Sequence, residues 1–256
     1  MTSAQPMPPK TGGRSLAAMC WATLVCGLAL SGCSAHLKPP TELTAPYPQP
    51  KLWAVVPFAN ESGVSIVDPY FTADVFTQQL QQVKGIDTVP VNRVIVAMRR
   101  LEMPEATTPA DIRQLANALG VDGVIIGTVT AYDPYPPLML GAAIQLFETP
   151  PHNRLRGFDP QELTRSPRGT VSPGDLGSAG PVAQAAGVFD ATNHQTLSWL
   201  RDYAAGRSEP HGAYGQDIYL VSMELYTQFV SYRLIHDLLA FERARLMPMT
   251  DIVSGH

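Results

Sequence analysis

The chain has 256 residues, with 18 Lys and Arg against 22 Asp and Glu, a formal net charge of −4, and no run of like charges. That balance excludes nucleic acid, or an anionic lipid surface read by a basic patch, as the main partner. Its 3 cysteines are Cys20, Cys26 and Cys33, all near the N-terminus, so neither a disulfide framework nor cysteine-based zinc spacing is available to the rest.

Residues 1–32 carry the three parts of a secretion signal. Lys10 and Arg14 make the start positive, and no acidic residue precedes Cys33. Ser15 to Leu30 is uncharged and rich in Ala, Leu and Val, while Ser31 and Gly32 offer small side chains at the cut. Leu30-Ser31-Gly32-Cys33 resembles the lipobox of bacterial lipoproteins. The resemblance implies recognition through Leu30, Ser31 and Gly32, cleavage before Cys33, and attachment of a diacylglycerol and an N-acyl chain to Cys33. No other cofactor is expected. Two or more chains make membrane attachment near-permanent. Ser34, where an Asp would imply inner-membrane retention, implies the outer membrane, facing the periplasm. An uncleaved span is the alternative, since the uncharged run continues to Lys38 and a span needs about 20 apolar residues. Ser31, Gly32, Ser34 and His36 dilute its second half. With Cys20 and Cys26 removed and Cys33 acylated, the exported domain rests on its core alone.

Residues 33–51 hold Pro39, Pro40, Pro46, Pro48 and Pro50 and read as an extended tether behind the lipidated Cys33. Leu52 to Phe58 is an apolar run suited to a buried strand, ended by a turn at Asn60-Glu61-Ser62-Gly63. Asp68-Pro69 marks a helix start, and Phe76, Leu80 and Val83 form its apolar face, with Gly85 as the stop. Ile86 to Val91 is a second strand. Val94, Met98 and Leu101 make another helical stripe, ended before Pro104. Thr108-Pro109-Ala110-Asp111 has the form of a capping box, followed by Ile112, Leu115, Ala116 and Leu119 and a stop at Gly120. Val124 to Val129 is a third strand.

Tyr132 to Pro137 reads as a rigid turn. Leu138 to Phe147 and Val182 to Phe189 are strands expected to pair across a Pro- and Gly-rich insertion at 150–181, which shows no apolar periodicity. Thr196 to Ala205 is a short helix. Ile218, Val221, Leu225, Phe229, Tyr232, Ile235 and Leu239 recur at three and four residues, predicting one long helix over Asp217 to Leu246. Such a helix would be about 45 Å long. It either packs along the domain or extends past it to meet a partner. The fold class is therefore α/β (α+β), a small sheet covered by helices with a long C-terminal helix. Residues 52–149 form the α/β core, and 182–256 contribute the final strand and helices of the same domain.

Two blocks carry a family resemblance. Val55-Val56-Pro57-Phe58-Ala59-Asn60-Glu61-Ser62 resembles the V-x-P-F-x-N-x-S opening of the periplasmic domain of the curli secretion channel CsgG, a domain related to LpoB and to the N-terminus of TolB. Leu115 to Val129, with its Gly120-Val121-Asp122-Gly123 turn, is similar to those families' helix, turn and following strand, and Val89 to Arg93 is like their short strand leading into the next helix. The resemblance implies a fold and an envelope location, and it brings no catalytic residues.

No enzyme constellation is present in the sequence. The 6 histidines (36, 152, 194, 211, 236 and 256) are scattered, and there is no nucleophile elbow and no phosphate-binding Gly-x-x-x-x-Gly-Lys loop. Gly174 to Gly180 is a flexible stretch of the insertion. Asp122 reads as a cap for backbone amides rather than an acid. Glu61 and Asp74 read as surface carboxylates, and His236 as packed or exposed. The expected function is a non-catalytic interaction or assembly module, held at the membrane by its lipid. Its expected partner is another envelope protein, with neither nucleic acid nor an evident small-molecule substrate. The alternative is a subunit of a CsgG-like outer-membrane secretion channel. Its barrel strands would alternate over about ten residues, which Leu138 to Phe147 does not do regularly.

Overall fold

The computed structural model describes residues 40–149, 180–209 and 212–247, all within the unit Pro39–His256. Leu30, Ser31, Gly32 and Cys33 lie outside the described residues, as does the expected insertion through residue 179.

Strands β1 (Lys51–Val55), β2 (Ala59–Asn60), β3 (Ile86–Val89), β4 (Gly123–Asp133), β5 (Met139–Glu148) and β6 (Ala183–Asp190) form one sheet. Their order is β3-β1-β4-β5-β6, with the short β2 paired to β4. β1 lies parallel to β3 and β4, as β2 does to β4, and β5 and β6 add an antiparallel half. The helices are α1 (Pro69–Leu80), α2 (Val91–Arg100), α3 (Pro109–Leu119), α4 (His194–Ala204) and α5 (Met223–Leu246), with a 3-10 turn at Gly215–Leu220.

The helix starts follow local chemistry. Asp68 accepts from the Tyr70 and Phe71 N–H groups at 2.9 and 3.2 Å, and Pro69 occupies the first turn of α1. Thr108 and Asp111 form a reciprocal box at 3.1 and 3.0 Å. Their hydrogen bonds hold the Asp111 carboxyl below its usual range. Gly120 ends α3 in the left-handed region at φ 67, where a side chain would be strained. Prolines set the limits on two strands. β1 stops at Val55, short of Pro57, and β3 stops at Val89 because Pro90 has no N–H for the ladder.

α1 and α5 pack on one face of the sheet, around Trp53, Phe76, Ile125, Ile144 and Phe229. α2 and α3 cover the other face at Ala54, Val56 and Val124, with Met98, Ile112 and Leu115 as their contribution. On the α5 side, Leu140, Ile144 and Leu146 of β5 stand opposite Phe189, Ala185 and Ala183 of β6. The two small residues leave depth for the aromatic ridge of α5, where Tyr226 and Phe229 are fully buried.

The C-terminal segment differs from the sequence expectation. It is not one helix from Asp217: a 3-10 turn is followed by α5, which begins at Met223 with Ser222 as its cap. Ile218 and Val221 keep helical spacing but are exposed, so the pattern extends past the element that buries it. The 24 residues of α5 make a rod of about 36 Å. Buried residues run from Tyr226 to Glu242, so the helix packs along the domain through nearly all its length. Among the described residues no helix is long and apolar enough to cross a membrane.

Candidate functional site

The two sequence blocks meet at one end of the parallel strands. Val56 to Glu61 from the first and Ile126 from the second line a cleft of about 420 Å³ with Tyr70, Met98 and the Pro104–Thr107 loop. Local hydrogen bonds shape its rim. Asn60 donates through Nδ2 to the Val64 carbonyl at 2.9 Å and accepts at Oδ1 from the Ser62 N–H and hydroxyl at 3.1 and 2.7 Å. Asn60 and Ser62 thus build the turn itself. Phe58 points inward, packed at 5.6 Å against Phe76 over the bare backbone of Gly127. The same loop and first helical turn leave Ile66, Tyr70 and Phe71 at 61%, 52% and 41% exposure. Glu61 and Glu105 add two carboxylates with no ion pair among the described residues. The cleft therefore joins apolar side chains to two carboxylates at its edge.

Asp122 stitches the sheet and belongs to no acid–base pair. Its Oδ2 accepts from the Leu52 N–H at 2.9 Å, and its own N–H donates to the Leu52 carbonyl at 2.7 Å. Its carbonyl accepts from Thr149 at 3.0 Å, so one residue joins the starts of β1 and β4 to the end of β5. Asp122→Ala leaves the Leu52 amide without its acceptor and is expected to cost about 1–2 kcal/mol in urea unfolding.

The expected tether is in part docked. Residues 41–47 form a strap against the domain, where Thr44 bridges to Lys84, the Ala45 N–H donates to the Lys84 carbonyl and the Lys84 N–H donates to the Leu43 carbonyl, both at 2.9 Å. Glu42 pairs with Lys84. Tyr47 packs edge-on to Trp53 at 5.8 Å and donates its hydroxyl to Glu242 at 2.7 Å. The prolines read as spacer in the sequence, but backbone bonds to Lys84, the Glu42–Lys84 pair and the Tyr47 anchor hold the stretch in place. Glu242 is fully buried and is gripped by Arg245 through two hydrogen bonds of 2.7 Å, and Arg245 reaches on to Glu148 at 3.1 Å. Burial and the neighbouring Glu242 carboxylate push the Tyr47 hydroxyl far up.

Burial also pushes up the Tyr203 and Tyr226 hydroxyls, for side chains 2% and 0% exposed. Both keep their protons above the ordinary tyrosine value of 10.0, at which the unfolded chain ionises. Their stabilisation is complete below pH 10 and is lost as pH rises above it toward the folded values. The unfolded tyrosine is half ionised at pH 10, so each loses about 1 kcal/mol over the next pH unit, and stability is expected to fall by roughly 2 kcal/mol between pH 10 and 11. Chemical denaturation followed at both pH values checks this.

The remaining residues considered in the sequence stay apart. Asp74 is exposed on the outer side of α1, away from Glu61 in the cleft. His194 is exposed at the start of α4, and His236 lies beside Asp237 at 2.9 Å on the outside of α5. Among the described residues no group of three His, Cys, Asp or Glu side chains could hold a metal. The strap and the Tyr47–Glu242 bond were missed by sequence reasoning. The only local signal is that Leu43 and Tyr47 are large apolar side chains in a stretch of small and polar ones.

No protein-family model matches the sequence, and no curated protein matches it. Similar solved structures include the lipoprotein GNA1162 from Neisseria meningitidis, with 17% identity over 62% of this chain and 96% of that one, at a TM-score of 0.36. The LpoB C-terminal domain from Salmonella enterica is 15% identical over 41% of this chain and 74% of its own, at 0.33. The hypothetical protein CT253 from Chlamydia trachomatis is 9% identical over 76% and 99%, at 0.40.

Proposed function

We propose that this chain is a lipid-anchored protein of the cell envelope, acylated at Cys33, held at the outer membrane facing the periplasm, and acting without catalysis as an interaction module. The observation that carries the interaction reading is the cleft formed by Val56–Glu61, Tyr70 and Pro104–Thr107. Exposed apolar side chains beside carboxylates that make no ion pair among the described residues suit a protein segment with apolar and basic residues. The partner is another envelope protein presenting such a segment. The anchor rests on the Leu30-Ser31-Gly32-Cys33 motif and the signal-like residues before it.

Two measurements test the reading separately. Mass spectrometry of the membrane-extracted protein is expected to find an acylated Cys33 at the N-terminus, and Cys33→Ala is expected to leave an unprocessed precursor. A photo-crosslinker at Tyr70 in the full chain, in its own membrane, is expected to capture one protein, and Glu61→Lys with Glu105→Lys to abolish that product. Equal capture from Gln78, on the exposed side of α1, would remove the cleft from consideration.

A further inference from the structure

Behind the strap lies a second cavity of about 420 Å³, walled by Thr41 and Glu42 on one side and by the ends of α1 and α4 and the first half of α5 on the others. Among the described residues, Arg207 is the one cation lining it that makes no ion pair. The guanidinium stacks 4.4 Å over Tyr203 and 5.1 Å over Tyr232, and it donates to the Tyr203 carbonyl at 2.8 Å and the Thr41 carbonyl at 3.1 Å. Those contacts orient it and use two of its five N–H donors, leaving three. It makes no ion pair among the described residues, and the carboxylate on the rim, Glu42, is already taken by Lys84.

Around this fixed charge stand four neutral groups that both donate and accept. They are the hydroxyls of Tyr219 and Tyr232 and the amides of Gln82 and Gln228. None has a hydrogen-bond partner among the described residues, whereas the neighbouring Tyr203 hydroxyl is committed to Gln79 at 3.1 Å. If Arg207 only capped the C-terminal end of α4, the convergence of phenols and amides on the same space would have no role.

We propose that this cavity binds a sugar acid. Its carboxylate would take the free edge of Arg207, whose planar fork suits a carboxylate. Its ring hydroxyls would fall to Tyr219, Tyr232, Gln82 and Gln228, and the volume accommodates one or two hexose-sized rings. One cation among neutral groups selects a singly charged, hydroxyl-rich ligand over a compact anion. The inference goes beyond the interaction reading and stands independently of it, because the cavity and the cleft share no residue.

Calorimetry and ligand-observed NMR on the full detergent-extracted chain, with glucuronate, glucose and inorganic phosphate, decide the matter. Saturable glucuronate binding is expected, with glucose and phosphate each at least tenfold weaker. Tyr219→Phe and Gln228→Leu, which keep the side-chain shape, are expected to weaken glucuronate about tenfold at unchanged Tm. Arg207→Gln is expected to erase the preference for glucuronate over glucose. Absent glucuronate binding, glucose or phosphate binding as tight as glucuronate, or full binding by both shape-preserving variants would overturn the proposal.

Discussion

Glu242→Ala is expected to lower the unfolding free energy by about 3 kcal/mol, at the low end of the range for breaking a buried ion pair. Glu242 is fully buried and closes three hydrogen bonds, two from Arg245 and one from Tyr47. Removing the carboxylate strands a guanidinium in a half-buried position with only Glu148 left to it, at 3.1 Å. Arg245 keeps 33% of its side-chain exposure, so water softens the loss and the low end applies. The Tyr47 hydroxyl also loses its acceptor, and the strap its anchor. In a chain of this size about 3 kcal/mol corresponds to a fall in Tm of roughly 6–12 °C. Replacing the three partners together, with Tyr47→Phe, Glu242→Leu and Arg245→Met, is expected to recover most of it, because no buried polar group is then left over. A loss below about 1 kcal/mol in urea unfolding of Glu242→Ala would contradict the network's role.

Gly127→Ala is expected to cost about 3 kcal/mol, the upper part of the range for overpacking. The difficulty is space rather than backbone strain, since a Cβ at Gly127 would overlap the Phe58 ring. The ring has nowhere to go: Phe58 is 3% exposed and rests against Phe76. Nor can the strand shift, because Gly127 sits in the interior of β4, paired to Ile144 of β5 and beside β2. Phe58→Leu in the same chain is expected to relieve part of the overlap. The double variant should then be more stable than the sum of the two single changes by at least about 1 kcal/mol, which a double-mutant cycle measures. Additivity of the two changes would refute the steric account. The pair also explains why the blocks around Val55–Ser62 and Leu115–Val129 go together: the aromatic of the first needs the bare backbone of the second.

Much of the fold was legible because it depends on short-range signals. Asp68-Pro69, the Thr108–Asp111 box and Gly120 each satisfy backbone groups within a few residues, and the helices start and stop there. The apolar runs at Leu52–Phe58 and Val124–Val129 are dense enough to be strands on any reading, and the pairing of β5 with β6 was visible in their patterns, though not its antiparallel sense. The misread features depend on distant partners. Tyr47 and Glu242 are 195 residues apart, and the strap is held mainly by backbone bonds to Lys84, which no periodicity records. Ile218 and Val221 continue the stripe of α5 by spacing alone, and the Ser222 cap interrupts a rhythm that the apolar residues do not. The cleft was half legible. Its blocks were visible, but their meeting at one end of the sheet follows from the parallel pairing of β1 with β4.

The docked strap sets a working radius. A free chain from an anchored Cys33 to Lys51 would let the domain range over roughly 63 Å at full extension, at about 3.5 Å per residue. With Thr41 held by Arg207, the contour from the proposed anchor at Cys33 to the first held residue is at most roughly 28 Å. Under the proposed acylation of Cys33, a domain so held would patrol only the layer next to its membrane. Releasing the whole strap, at Arg207 and Lys84 as well as at Glu242, would more than double that distance.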